Sequence, residues 1–181
     1  MKNIEVEFRS LVTEGKLRQL RDFLIAKAED FGEDNKDTYF FILPNKLLKI
    51  VNNTSKNQAK VVLKLTALGE GNSFEEVETE ISQKSIEDWL KIFKLLGFGK
   101  IVHAGQKRHN YLYKGVEISL KHSIDWGYHV ELEIVVADKS ETKEAEQKIQ
   151  LVAKELELTL MTNEEVGAFV DKIIKAKATN Y

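Results

Sequence analysis

Three segments of the chain carry carboxylates at alternate positions: Glu5 and Glu7 in IEVEFR, Glu76, Glu78 and Glu80 in FEEVETEIS, and Glu131 and Glu133 in YHVELEIVV. On a β-strand such residues share one face and lie about 7 Å apart, from a rise of roughly 3.3 Å per residue. Two carboxylates at that distance repel by about 2 kcal/mol at an effective dielectric near 20. Clustered carboxylates are the oxygen ligands that Mg2+ or Mn2+ prefers. Arg9, Lys49, Lys60, Lys64 and Lys121 fall on the same kind of face. If the strands close into a barrel, an acidic side and a basic side line one polar cavity, and a basic wall beside a metal suits a polyphosphate. The competing explanation is an antiparallel sheet with one solvated face, on which such charges carry no chemistry.

The elements that must position these residues read from periodicity. Apolar and charged residues alternate in the runs starting at Lys2, at DTYFFIL, NKLLKIV, AKVVLKLTA, FEEVETEIS, HNYLYKGVEISLK and YHVELEIVV, the pattern of half-buried strands. Turns are expected at Pro44–Asn45 and Lys114–Gly115, and loops at NNTSKNQ and GEGNS. Helical spacing runs from Thr13, an N-cap, to Gly32, a closing residue. A second helix starts at Ser85, with Asp88 three residues on, and ends at Gly97 and Gly99. A third starts at Ser140, and a fourth has Thr162 and Glu165 as its capping box. The sum is about eight strands and four helices in one domain of 181 residues, with strands and two helices over 1–136 and helices over 140–178.

Composition narrows the class. Hydrophobic residues are 43% and charged residues 31%, with a net charge of -2, which argues against a dedicated nucleic-acid binder. The chain has no cysteine, which excludes disulfides and thiolate metal sites and fits a cytoplasmic location. No stretch resembles a signal peptide, and no run approaches the roughly 18 apolar residues of a membrane span. Neither a G-x-S-x-G elbow nor a P-loop is present. His129 shares a face with Glu131 and Glu133, a zinc-like set, but without a thiolate or a second well-spaced histidine Mg2+ or Mn2+ is the better fit. His103, His109 and His122 read as surface or loop residues, Trp89 as core, and Trp126 as a packing residue or a stacking surface for a ligand.

In order along the chain, EVEFR resembles the E-x-E-x-K signature of the CYTH family, the triphosphate tunnel metalloenzymes, with Arg9 in the lysine place. DTYFFIL resembles the family's D-x-Y-F strand, LKIV its L-R-I-R, RHNY its R-x-x-Y and WGYHVELE its last acidic strand. The family includes class IV adenylate cyclases, thiamine triphosphatases and inorganic triphosphatases. The resemblance implies an α+β fold: a closed eight-stranded antiparallel β-barrel, the triphosphate tunnel, with helices packed outside. It implies Glu5, Glu7 and Glu131 as metal ligands with Glu133 nearby, and Glu78 and Glu80 on the acidic side, holding a second metal or orienting water. Arg9, Lys49, Lys64 and Arg108 would bind the triphosphate.

Three positions depart from the pattern. Val51 stands in place of the second arginine of L-R-I-R, Gln106 in place of a lysine, and Lys121 in place of an acid associated with the cyclases. Lys121 either restores a positive charge for the substrate or removes a carboxylate. The expectation is a divalent-metal-dependent triphosphatase acting on tripolyphosphate, thiamine triphosphate or ATP. A cyclase making cyclic AMP and a non-catalytic phosphoanion binder are the alternatives. No nucleic-acid or membrane partner is expected, and the chain is a monomer or a homodimer.

Overall fold

The computed structural model describes residues 3–66 and 71–180. Gly69 and Glu70 of the expected GEGNS loop, and Lys2 at the start of the first run, lie outside them. In chain order the elements are β1 (Asn3–Leu11), α1 (Glu14–Lys27), β2 (Glu29–Glu33), β3 (Lys36–Ile42), β4 (Leu47–Asn53), β5 (Gln58–Lys64) and β6 (Ser73–Ile81). They continue with α2 (Ile86–Leu95), β7 (Lys100–Tyr113), β8 (Val116–Ser123), β9 (Gly127–Val136), α3 (Thr142–Glu155), α4 (Asn163–Lys177) and β10 (Thr179–Asn180). No helix among the described residues is long and apolar enough to cross a membrane.

Eight strands close into an antiparallel barrel in the order β7-β3-β4-β5-β6-β1-β9-β8, returning to β7. Closure depends on β7. Its first half, Ile101 to Gln106, pairs with β3, and its second half, Lys107 to Tyr113, pairs with β8. The strand is fourteen residues long because it serves two neighbours in succession. The other two strands lie outside the ring: β2 and β10 both pair with β7.

The period-two pattern turns the ring strands the same way, with apolar exceptions such as Phe40 and Val51, which line the tunnel. Apolar faces point outward, under the helices. Val6, Phe8, Ile118, Val130 and Leu132 pack with Leu20 and Leu24 of α1 and Ile149 and Val152 of α3. On the other side Phe41, Leu48, Ile50 and Ile101 pack with Ile86, Leu90 and Phe93 of α2, and Trp89 is a partly buried member of that core. The charged faces therefore point into the barrel, and the solvated-sheet explanation does not hold.

Two expected element boundaries and one expected cap are corrected. The first helix ends at Lys27, not at Gly32. Gly32, at φ +76, sits in a β-bulge of β2, where its N–H donates to Asp30 Oδ1 at 2.7 Å; the extra residue lets β2 follow β7. Ser85 makes no side-chain cap to α2. Its hydroxyl donates to the Ser82 carbonyl at 2.7 Å, and Ser82 caps the 3-10 turn Gln83–Ser85 instead. Asp138, not Ser140, opens the third helical stretch: its carboxylate accepts from Ser140 N at 2.8 Å, and Glu141 accepts from Asp138 N at 3.0 Å.

The expected turns at Pro44 and at Lys114–Gly115 do form, the latter with φ +51 and +70, as a tight hairpin requires. So does the Thr162–Glu165 capping box, with bonds of 3.2 and 2.8 Å. Thr162→Ala is expected to cost about 1 kcal/mol, read as a fall of about 2–4 °C in the thermal midpoint.

Candidate active site

The barrel encloses a tunnel of about 730 Å³, within the 300–1,000 Å³ range of small-molecule sites. Strand register decides which inward side chains meet. Between β1 and β9, Glu7 lies directly opposite Glu133 and Arg9 directly opposite Glu131. Between β9 and β8, Glu133 lies opposite Glu117. Between β8 and β7, Lys121 lies opposite Arg108. The inner wall thus carries a row of three carboxylates, Glu7–Glu133–Glu117, and a pair of cations, Arg108–Lys121. Like charges directly across a ladder are destabilising, and this wall holds three such pairs: Glu7–Glu133, Glu133–Glu117 and Arg108–Lys121.

Ligand oxygens of Glu5, Glu7 and Glu133 lie within 4.8 Å of one another, the one such group among the described residues. Three hard oxygen donors at that spacing fit an Mg2+- or Mn2+-type ion. Glu131 sits apart from this trio. One of its oxygens is 2.9 Å from Arg9 Nη2, and the other is in contact with Lys121 Nζ and 3.9 Å from Arg108 Nη1. Glu78 and Glu80 are exposed at one end of the tunnel, where Glu78 pairs with Lys60.

Lys64, 2% exposed, lies 2.7 Å from Glu5, 3.4 Å from Glu7 and 3.0 Å from Glu76. Arg9 contacts both Glu7 and Glu131. Arg108 is braced by Asn110 at 2.6 Å, Glu117 at 3.0 Å and Asp34 at 3.2 Å. Asp34, between β2 and β3, also accepts from Asn53 at 2.5 Å and pairs with Lys36 at 3.0 Å.

Burial and neighbours set the charges. Burial would raise the Glu7 carboxyl, but Arg9, Lys64 and Lys121 outweigh it and hold it well below the usual range. Burial, with Glu5 and Glu7 beside it, pushes Glu133 up to about 7. Burial would lower Lys64, but Glu7, Glu5 and Glu76 raise it above the usual lysine value. Lys49 is pushed down to about 8 by burial and then by Lys64. Burial, followed by the Arg108 guanidinium, presses Lys121 down, while Glu7 works the other way.

His129 is lowered to about 3 by burial and Lys121, so its ring is neutral at pH 7. Nδ1 faces the Gly127 carbonyl at 3.1 Å and donates to it, which leaves Nε2 to accept from the Gln106 amide at 3.3 Å. Gln106 thus serves His129. Trp126 stacks on Phe169 of α4 at 4.5 Å, with Arg9 5.7 Å above its ring, and its half-buried side chain also lines the tunnel. His103 and His109 face outward and pair with Asp37 and Asp30, each at 2.6 Å.

Glu133 carries a further consequence. Its proton must leave before the trio can hold a cation, so ion affinity rises with pH up to about 7 and levels off above it. Mn2+ binding is expected to be about tenfold weaker at pH 6 than at pH 8. Glu133→Gln should flatten that dependence as well as weaken binding, and calorimetry at the two pH values checks both.

The sequence sets Glu76 in an acidic stripe but does not join it to Lys64, and Asp34 and Asn110 belong to no stripe in it. Asn110 shares the face of Arg108 two residues away, a signal that was available. Asp34 falls between two strands, where no periodicity marks it.

A closed antiparallel barrel with acids and bases facing each other across its bore is the architecture of a triphosphate tunnel. The chain belongs to the CYTH family, whose domain model matches residues 3–166. A conserved hypothetical protein from Pyrococcus furiosus is similar at 25% identity, with 90% of this chain and 94% of that one covered and a TM-score of 0.72. The PH1012 protein from Pyrococcus horikoshii OT3 gives 22%, 90% and 99%, and 0.74. A Hippeastrum adenylyl cyclase candidate with a dominant triphosphatase activity shares the fold at 19% identity, with 88% and 90% covered and a TM-score of 0.61. No curated protein matches.

Proposed function

We propose that this protein hydrolyses a small-molecule triphosphate, inorganic or organic, with Mg2+ or Mn2+ as cofactor. The observation that carries the reading is the like-charge register of the inner wall: Glu7, Glu133 and Glu117 in one row and Arg108 opposite Lys121. A cation relieves the first and a phosphate chain the second. Glu5, Glu7 and Glu133 hold the ion. When bound, it supplies Lewis-acid neutralisation of phosphoryl charge. Arg9, Lys49, Lys64, Arg108 and Lys121 bind the triphosphate oxygens and fix the chain along the bore, which lowers the entropy cost of reaching an in-line geometry. Glu131 keeps Arg9 and Lys121 in place, and Glu78 and Glu80 orient water at the exposed end.

Hydrolysis is favoured over cyclisation because Lys121 stands where the cyclase pattern has an acid. A second reading, a binder without turnover, draws on two features. Val51 is buried and offers no donor, and the Gln106 amide is committed to His129. Incubation with tripolyphosphate, thiamine triphosphate and ATP, each with Mg2+ or Mn2+, separates these. Hydrolysis predicts orthophosphate from at least one of them. Pyrophosphate with cyclic AMP would support the cyclase. Thermal stabilisation by tripolyphosphate without any product would support the binder.

A further inference from the structure

We propose that the tunnel takes a single divalent ion, at Glu5, Glu7 and Glu133, and that the Lys121 ammonium stands on Glu131 in place of a second one. The inference rests on the metal-dependent reading above and deepens it by fixing how many ions the site uses.

Seven carboxylates reach the inner part of the tunnel, Asp34 among them, and only one trio brings its oxygens together among the described residues. Glu5 and Glu7 of that trio also meet Lys64, and Glu7 meets Arg9, whereas Glu133 forms no ion pair among the described residues. Each carboxylate outside the trio is engaged by side-chain cations, Asp34 by Lys36 and Arg108. Glu76 is 3.0 Å from Lys64, and Glu117 is 3.0 Å from Arg108 while accepting from Asn110 at 2.9 Å. Glu131 is covered on both oxygens, with Arg9 on one and Lys121 and Arg108 on the other.

Lys121 reaches Glu131 by register. From β8 it lies opposite His129 of β9, and Glu131 is two residues further along the same inward face of β9, a diagonal that a lysine spans. Lys121 is 5% exposed, and its ammonium faces only the tunnel. A second ion on Glu131 would have to push Lys121 towards Arg108, which already lies opposite it. The exposed acids at the mouth do not substitute, because Glu78 and Glu80 complete no group of three among the described residues. A phosphoryl group beyond the ion therefore meets Lys121 and Arg108 as fixed charges of the chain itself.

The test counts ions. Mn2+ is titrated into the metal-free full chain, alone and with non-hydrolysable imidotriphosphate, and free Mn2+ is read by electron paramagnetic resonance. One ion per chain is expected in both series, and Lys121→Glu, which places a carboxylate beside Glu131, is expected to take two. Glu131→Gln should keep the wild-type Mn2+ affinity within about threefold, whereas Glu133→Gln should lose at least about tenfold. Two ions in the wild type, or a loss in Glu131→Gln as large as in Glu133→Gln, would overturn the proposal and leave the metal-dependent reading standing. A wild type that takes no Mn2+ in either series would overturn both. If Lys121→Glu does not fold, as its melting curve would show, the wild-type count and Glu131→Gln decide.

Discussion

Lys64→Met is expected to destabilise the metal-free protein by about 3–5 kcal/mol, which for a chain of this size lowers the melting temperature by about 6–20 °C. Lys64 is the ammonium in direct contact with Glu5, Glu7 and Glu76, with Lys49 also acting on all three, and it is almost fully buried among them. Methionine fills a similar volume, so the loss is electrostatic rather than a cavity. Three carboxylates would remain in a low-dielectric bore with their shared counter-charge gone. Two features mark that cause. Mn2+ should raise the melting temperature more in the variant than in the wild type, because the ion takes over the neutralisation. Acid should narrow the gap between variant and wild type, because protonated carboxyls no longer need the ammonium. An unchanged melting temperature at pH 7 would show that Lys64 does not hold the acids together.

Glu7→Gln is expected to lower kcat/KM for the best triphosphate substrate by about 10²–10³-fold. Glu7 belongs to the carboxylate trio and also contacts Arg9 and Lys64. Glutamine keeps the shape and an acceptor oxygen but removes the charge. The cost therefore falls on the ion and on the alignment of Arg9, not on packing against neighbours. Mn2+ affinity should fall in the same variant, and circular dichroism should show the barrel intact. Activity within a few-fold of wild type would place the reaction elsewhere in the tunnel.

The alternation of charge was legible from the first strand onward because a strand's side chains have a period of two residues. That alternation gave the faces but not their direction. Inward charge follows from closure, and closure depends on β7 pairing with β3 along one half and β8 along the other, which no local pattern of KIVHAGQKRHNYLY announces. The β2 segment was hidden for a similar reason. AKAEDFG continues a helical spacing, and only a long-range partner turns Glu29–Glu33 into a strand. Within the site, Glu131 and Glu133 share a face and are equivalent by periodicity. Register separates them, since Glu133 faces Glu7 and Glu131 faces Arg9. The same register turns the departure at Lys121 into a partner for Glu131, a relationship that a single strand read alone does not contain.

The most direct test of the central claim is anomalous diffraction from crystals of the protein grown with Mn2+ and non-hydrolysable imidotriphosphate. The account predicts a manganese peak bounded by Glu5, Glu7 and Glu133, with the phosphate chain running past Lys64 and Arg9 towards Arg108 and Lys121. Manganese found only at the exposed Glu78 and Glu80, with the bore empty of phosphate, would contradict it.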